Sequence, residues 1–140
     1  MKKATADFFL WAADDDELEP EYIEKLQSAL SANKGSVFAV SGYDVVDKMQ
    51  SPAISTNFTE YLFELPGKNS YSRMLSYVKQ PDYYGKSRIL WGLHRTSVLR
   101  RTYKETYIGL AVKEDLTWAE LPVELRLLAK GDLTIVPDVL

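Results

Sequence analysis

Apolar and polar residues follow one another in blocks along the chain, and the blocks predict strands that alternate with helices. Continuous apolar runs at residues 8–12 and 89–93 have the pattern of strands buried on both faces. Residues 36–46 are rich in β-branched and aromatic side chains, and residues 133–136 form a last apolar run, so both predict strands. Gly92 lies inside the run at 89–93 and predicts a place where another segment comes too close for a side chain.

Apolar residues at helical spacing predict helices between these strands. Pro20 suits the first turn of a helix over about residues 20–31, because its missing N–H is no loss there. Pro122 marks the first turn of a second helix, which stops at Gly131. The inner residues predicted for this last helix are Val123, Leu125, Leu127 and Leu128.

The middle of the chain gives weaker signals. Residues 47–67 show no sustained period and contain two prolines, which predicts an irregular excursion over the surface. Ser70 is a candidate cap for a short helix, and Thr96 or Ser97 for another. The inner residues predicted for the helix at Ser70 are Met74, Leu75 and Val78.

These elements together predict an α/β layered fold with a largely parallel or mixed sheet flanked by helices. At 140 residues the chain has the usual size of one domain, so residues 1–140 are predicted to form a single domain. The composition, 46% hydrophobic and 26% charged, is that of a chain with a packed core and excludes a disordered protein.

Charge and cysteine content narrow the function classes. A net charge of -3 argues against a general nucleic-acid binder, which needs a surplus of Lys and Arg. The chain has no cysteine, which excludes disulfides and thiolate metal sites and predicts a cytoplasmic location. No apolar stretch reaches the ~18 residues that span a bilayer, so no transmembrane helix is predicted.

Three consecutive acids, Asp14, Asp15 and Asp16, stand directly behind the first apolar run and before Pro20. Ligands of α/β sheets bind outside the carboxyl ends of strands, and carboxylate oxygens suit Mg²⁺ or Mn²⁺. The same acids would also suit a solvated turn before the positive end of a helix. Taken alone, the stretch leaves a cation site and a solvated turn both open.

The stretch FFLWAADDDELEPEYIEKLQSAL resembles a segment of family-two glycosyltransferases of the GT-A fold. In those enzymes a buried strand runs into a DxD-type loop and then into a helix begun by proline, and a sugar is moved from a nucleotide-diphosphate donor to an acceptor. The resemblance implies a divalent cation, Mn²⁺ or Mg²⁺, at Asp15, with Asp14 or Asp16 beside it. Ala13 departs from the family, which has the first acid of its motif there.

Two later stretches extend the resemblance. ELPVELRLLAKGDLTIVPDVL resembles the family's closing unit, in which an acid before the helix is the general base for the acceptor hydroxyl. Ungapped counting from Gly131 puts that base at Glu120, whereas the family's Glu-Asp dipeptide puts it at Asp115, and both stay candidates. ILWGLHRTSVLRR resembles a strand near the acceptor side, which implies that His94 and Arg95 face the donor diphosphate or the acceptor, with Arg95 also able to pair with the aspartates. His94 also suits a purely structural role.

The resemblance therefore implies a glycosyltransferase-like module that takes a nucleotide-sugar donor and a carbohydrate acceptor, inverting and metal-dependent if active. It covers the later part of the family's domain, without the nucleotide-binding half that precedes the acidic loop in family members. The alternative is a non-catalytic truncated relative that forms a homodimer or binds a partner protein, such as one that supplies the missing half.

Overall fold

The computed structural model describes residues 3–47, 49, 54–57, 69–80, 88–110 and 120–139. The strands within these ranges are β1 (Phe8–Phe9), β2 (Ser36–Gly42), β3 (Asp44–Asp47), β4 (Ile54–Asn57), β5 (Leu93–Arg95) and β6 (Asp132–Val139). The helices are α1 (Tyr22–Ala32), α2 (Ser70–Lys79), α3 (Arg88–Trp91), α4 (Thr96–Leu110) and α5 (Glu120–Lys130).

Four strands form a mixed sheet in the order β1-β5-β2-β6. β2 and β6 are parallel, whereas β5 is antiparallel to both of its neighbours. Strands β1, β2 and β6 therefore run in the same direction, and their carboxyl ends meet at one edge of the sheet. The predicted α/β fold with a mixed sheet flanked by helices is confirmed.

Both faces of the sheet are covered by apolar side chains. On one face α1 buries Tyr22, Leu26 and Leu30 against Ala39 and Leu93 of the sheet. The larger cluster on the other side joins Phe38 of β2 to residues of the helices, namely Tyr77, Leu99, Val123, Leu127 and Leu128. This arrangement explains why β2 reads as a nearly continuous apolar run.

The first strand is shorter than the apolar run at residues 8–12 predicts, and it lies at the edge of the sheet. β1 has two residues and pairs with β5 through Phe8↔Arg95 and Phe9↔His94. Phe8 packs against the α1 cluster and Phe9 against the larger one, so successive side chains still cover opposite faces. The prediction of a strand over residues 8–12 is therefore wrong in its length, since the partner strand β5 has only three residues.

The run at residues 89–93 is also divided differently from its prediction. It begins with the helical turn α3, and the strand β5 starts only at Leu93. A Cβ on Gly92 would overlap the backbone oxygen of Ala39 in β2. The close approach predicted at Gly92 is therefore confirmed, and the segment that comes close is β2.

The apolar segment at residues 36–46 forms two strands. β2 ends at Gly42, and β3 leaves the main sheet to pair with β4 in a separate antiparallel sheet. The predicted irregular excursion at residues 47–67 therefore contains a strand, Ile54–Asn57. β4 pairs with β3, the strand that directly precedes it in the chain, and this pairing holds it extended.

Helix α2 begins one residue after Asn69, whose side chain accepts a hydrogen bond from the Ser72 amide at 2.9 Å. Its buried residues are Arg73 and Tyr77, whereas the predicted inner residues Leu75 and Val78 are exposed. The prediction that Leu75 and Val78 face inward is wrong. Arg73 and Tyr77 are buried in their place, because the polar atoms of both side chains have partners on neighbouring elements. Arg73 pairs with Asp132 at 2.9 Å and Tyr77 donates to Glu124.

The last helix agrees closely with its prediction, whereas the last strand is longer than the predicted residues 133–136. α5 begins two residues before Pro122 and buries Val123, Leu127 and Leu128. β6 extends through Pro137, where its register with β2 shifts. β6 is an edge strand, so a residue without an N–H is tolerated there. In the part of the chain that the structure describes, no helix is both long and apolar enough to cross a membrane.

Candidate functional site

A cavity of about 460 Å³ opens at the edge of the sheet where β1 and β2 end. The loop after β1 supplies its acidic side chains, the segment after β2 supplies Tyr43 and Asp44, and α3 supplies Arg88 and Trp91. We call this space the acidic cavity. The acids that line it from the first loop are Asp15, Asp16, Glu17 and Glu19.

Two of the three predicted metal ligands line the acidic cavity. Asp15 and Asp16 are exposed and face it, whereas Asp14 is exposed but is not part of its lining. Among the described residues, no group of three or more potential ligands is gathered closely enough to hold a metal alone. The two carboxylates do match the way Mg²⁺ is commonly held, by one or two acids together with the phosphates of a substrate.

Tyr22 forms part of the floor of the acidic cavity and connects its walls. Its hydroxyl donates to the backbone oxygen of Trp91 at 3.2 Å, which ties α1 to α3. Burial raises the pKa of Tyr22, the charge of Arg88 lowers it and the charge of Asp16 raises it. The charges of two side chains that line the same cavity thus act on this hydroxyl in opposite directions.

Sequence reasoning missed Arg88. The guanidinium carbon of Arg88 lies over the ring of Tyr43, 4.0 Å from the ring centre, and the side chain is half-buried. Since β5 runs antiparallel to β1 and β2, residues that precede it lie at the edge where β1 and β2 end. The signal in the sequence was an arginine just before the apolar run at 89–93. It indicates a residue of the cavity only when β5 is known to run antiparallel to β1 and β2.

His94 lies in the core and does not line the acidic cavity. Its ring is fully buried and stacks on Phe38 with 5.5 Å between ring centres. Its Nε2 atom is 3.1 Å from the carbonyl oxygen of Leu90. Burial lowers the pKa of His94 to about 4, so the ring is neutral at pH 7.

Arg95 lies at the other end of α1 from the three aspartates. It donates from Nε to Ser36 O at 2.8 Å and from Nη2 to Leu30 O at 2.7 Å. These bonds satisfy carbonyls at and beyond the last turn of α1, where a cation is also favourable for the helix dipole. An 11-residue helix is about 16 Å long, so the structure does not bring Arg95 to the acidic loop.

A second cavity of about 260 Å³ holds Glu120, one of the two predicted bases. We call it the aromatic cavity, since it is lined by Trp11, Trp91, Tyr103 and Tyr107 together with Leu90, Glu120 and Val123. Trp11 and Trp91 line both cavities, so the two spaces share a wall. Glu120 is exposed at the first residue of α5, and the other predicted base, Asp115, lies outside the described residues.

Aromatic side chains of this second cavity contact one another or a neighbouring ring outside its lining. Tyr103 and Tyr107 stack with 5.8 Å between ring centres, and Phe9 meets Trp11 edge to face at 4.9 Å. Burial raises the pKa of Tyr103, and the charges of Tyr107 and Glu120 raise it further. Tyr103 therefore stays a neutral hydroxyl and can donate or accept a hydrogen bond.

Comparison of the chain with protein-family models, with curated proteins and with solved structures gave no match.

Proposed function

We propose that the chain is a glycosyltransferase module of the GT-A type, which works in the cytoplasm as the cysteine-free sequence predicts. It would transfer a sugar from a nucleotide-diphosphate sugar to an acceptor hydroxyl. The observation that carries the proposal is the wall of Trp11 and Trp91 shared by the acidic cavity and the cavity of Glu120. A transfer between two substrates needs adjoining spaces that hold the reacting atoms together.

The acidic cavity is the proposed donor site. Its position outside the carboxyl ends of β1 and β2 is the place where ligands of α/β sheets bind. Asp15 and Asp16 would hold a divalent cation, and their hard oxygen atoms and their number fit Mg²⁺ or Mn²⁺. A bound cation would offset the negative charge that develops on the leaving diphosphate.

The aromatic cavity is the proposed acceptor site, with Glu120 as the base. The acceptor hydroxyl oxygen forms a bond to the anomeric carbon of the sugar, and the bond from that carbon to the diphosphate breaks. The hydroxyl proton passes to the Glu120 carboxylate. Asp115 stays the alternative base. The proposal gives no ligand contact to His94 or Arg95, because neither lines either cavity.

Thermal unfolding with Mn²⁺ and a panel of nucleotide sugars tests the proposal. A bound donor at a hundred times its Kd should raise the Tm of the wild type by roughly 5 to 10 °C. Asp15→Asn should abolish the shift, whereas Asp7→Asn, an exposed acid outside both cavities, should leave it unchanged. A shift with Mn²⁺ alone and no further shift with any nucleotide sugar would count against a donor site.

A second candidate function, binding to another copy or to a partner protein, is favoured by the position of β1. β1 is an edge strand, and among the described strands it pairs only with β5. Its other side therefore presents backbone groups that can accept a further strand. Sedimentation velocity would detect a homodimer, and hydrogen exchange should then show protected amides at residues 8–9. If the protein sediments as a monomer and the amides at residues 8–9 are not protected at higher protein concentration, binding to another copy is excluded.

A further inference from the structure

Arg88 is the only cation among the described residues that line the acidic cavity. It shares that cavity with the carboxylates of Asp15 and Asp16. Its guanidinium lies over the Tyr43 ring, and its charge is felt at the Tyr22 hydroxyl on the cavity floor. The cavity therefore carries both signs of charge.

Among the described residues, some cations that are at least partly buried are held by carboxylates, whereas Arg95 is held by backbone carbonyls. Arg73 pairs with Asp132 at 2.9 Å, and Lys130 pairs with Glu105 at 2.7 Å. Within the described ranges, no carboxylate lies at ion-pair distance from Arg88, and its guanidinium packs on the Tyr43 ring. A half-buried arginine in this position has its N–H donors available for a ligand.

The stacking on Tyr43 has a physical consequence for binding. A cation over an aromatic ring is held by the ring's electrons without using its hydrogen-bond donors. The guanidinium can then present two parallel N–H groups to a phosphate, which is the geometry that arginine favours. Tyr43 thus fixes the position of Arg88 before a ligand arrives.

The two signs of charge together select a class of ligand. The acids that line the cavity, Asp15, Asp16, Glu17, Glu19 and Asp44, outnumber its one arginine, so they attract a cation and repel a bare anion. A diphosphate that carries a divalent cation satisfies both, because the cation meets the carboxylates while the phosphate oxygens meet the guanidinium. The cation thus offsets the acidic charge that would otherwise repel the phosphates.

We propose that Arg88, held by stacking on Tyr43, binds the phosphate oxygens of a metal-bound diphosphate in the acidic cavity. The inference rests on the proposed donor site and adds to it the residue that recognises the diphosphate. It makes Arg88, and not Arg95, the arginine that contacts the ligand. The carboxylates hold the cation, so the two kinds of side chain have separable effects on binding.

Isothermal titration calorimetry with Mg²⁺ alone and then with magnesium pyrophosphate tests this division of roles. Arg88→Gln should weaken pyrophosphate binding roughly ten- to a hundredfold, the loss expected for hydrogen bonds to a charged group. It should leave the affinity for Mg²⁺ alone unchanged or higher. Arg88→Lys should recover part of the pyrophosphate affinity, because it restores the charge but not the two parallel donors.

The matched control is Arg101→Gln, an exposed arginine of α4 that lines neither cavity, and it should bind like the wild type. The Tm of each variant without ligand is first compared with that of the wild type, to check that it folds. If Arg88→Gln folds poorly, Tyr43→Leu provides a second test, because it removes the ring that positions Arg88 and should lower the affinity for pyrophosphate. Unchanged pyrophosphate binding by Arg88→Gln, or no pyrophosphate binding by the wild type, would overturn the role of Arg88. Pyrophosphate binding without any binding of nucleotide sugars would instead contradict the proposed transferase and leave the anion site standing.

Discussion

The Tyr22 hydroxyl donates a hydrogen bond to the backbone oxygen of Trp91, 3.2 Å away. Tyr22 is the first residue of α1, directly after the acidic loop, and Trp91 is the last residue of α3. The bond therefore joins the segment that carries the aspartates to the segment that carries Arg88. It fixes the distance between the two charged walls of the acidic cavity.

Tyr22→Phe should lower the free energy of unfolding by about 1 kcal/mol, because a partly buried hydrogen bond to the Trp91 backbone oxygen is lost. Urea unfolding measures the change. Tyr71→Phe, on the exposed side of α2, is the control and should change the stability by less than about 0.5 kcal/mol. Equal stability of the wild type and Tyr22→Phe would mean that the bond does not hold the two walls together.

The three neighbouring aspartates should differ in their effect on cation binding. Asp15→Asn and Asp16→Asn should each weaken Mn²⁺ binding in the presence of a nucleotide sugar roughly tenfold or more, since a charged ligand is lost. Asp14→Asn should bind like the wild type, because Asp14 does not line the acidic cavity. Calorimetry or electron paramagnetic resonance of Mn²⁺ measures the affinities. Equal losses in all three variants would indicate a diffuse effect of charge and no defined site.

The base should be separable from the donor site. Glu120→Gln should lower the rate of sugar transfer by about a hundred- to ten-thousandfold, the range for loss of a general base. The thermal shift produced by the donor should persist, because Glu120 lines the aromatic cavity and not the acidic one. If Asp115→Asn abolishes transfer while Glu120→Gln keeps it, the base is Asp115.

His94, the only histidine, should make stability depend on pH in a defined window. Burial lowers its folded-state pKa to about 4, below the ~6.5 of an unfolded chain, so the unfolded state takes up the proton first as pH falls. The neutral ring's contribution to the free energy of unfolding is complete above about pH 6.5. It is lost as pH falls toward 4, by up to about 3 kcal/mol. Urea unfolding of the wild type and His94→Gln at several pH values measures it. A constant difference between the two across this window would contradict the assignment.

The helices were predictable where the signal is local. Pro20, Pro122 and Gly131 mark ends of α1 and α5, and the apolar period between them depends only on neighbours in sequence. The run at residues 89–93 carried no such signal, since Ile, Leu and Trp suit a buried helical turn as well as a strand. The contact between Gly92 and the Ala39 backbone, distant in sequence, decides where β5 begins.

The candidate site was predictable only in part, for a reason of topology. Asp15 and Asp16 could be expected at a carboxyl end because they follow a strand that runs with β2. Arg88 could not be distinguished from Arg95, because both flank the same apolar run. The antiparallel direction of β5 places Arg88 at the edge with the aspartates and Arg95 at the opposite edge, where it binds the end of α1.

The measurement that tests the central claim most directly is anomalous diffraction from crystals grown with Mn²⁺ and a nucleotide sugar. The account predicts one strong manganese peak between the carboxylates of Asp15 and Asp16, with the diphosphate bound to the cation and to Arg88. A crystal with no manganese peak in the acidic cavity, or with the nucleotide sugar bound elsewhere, would contradict the account.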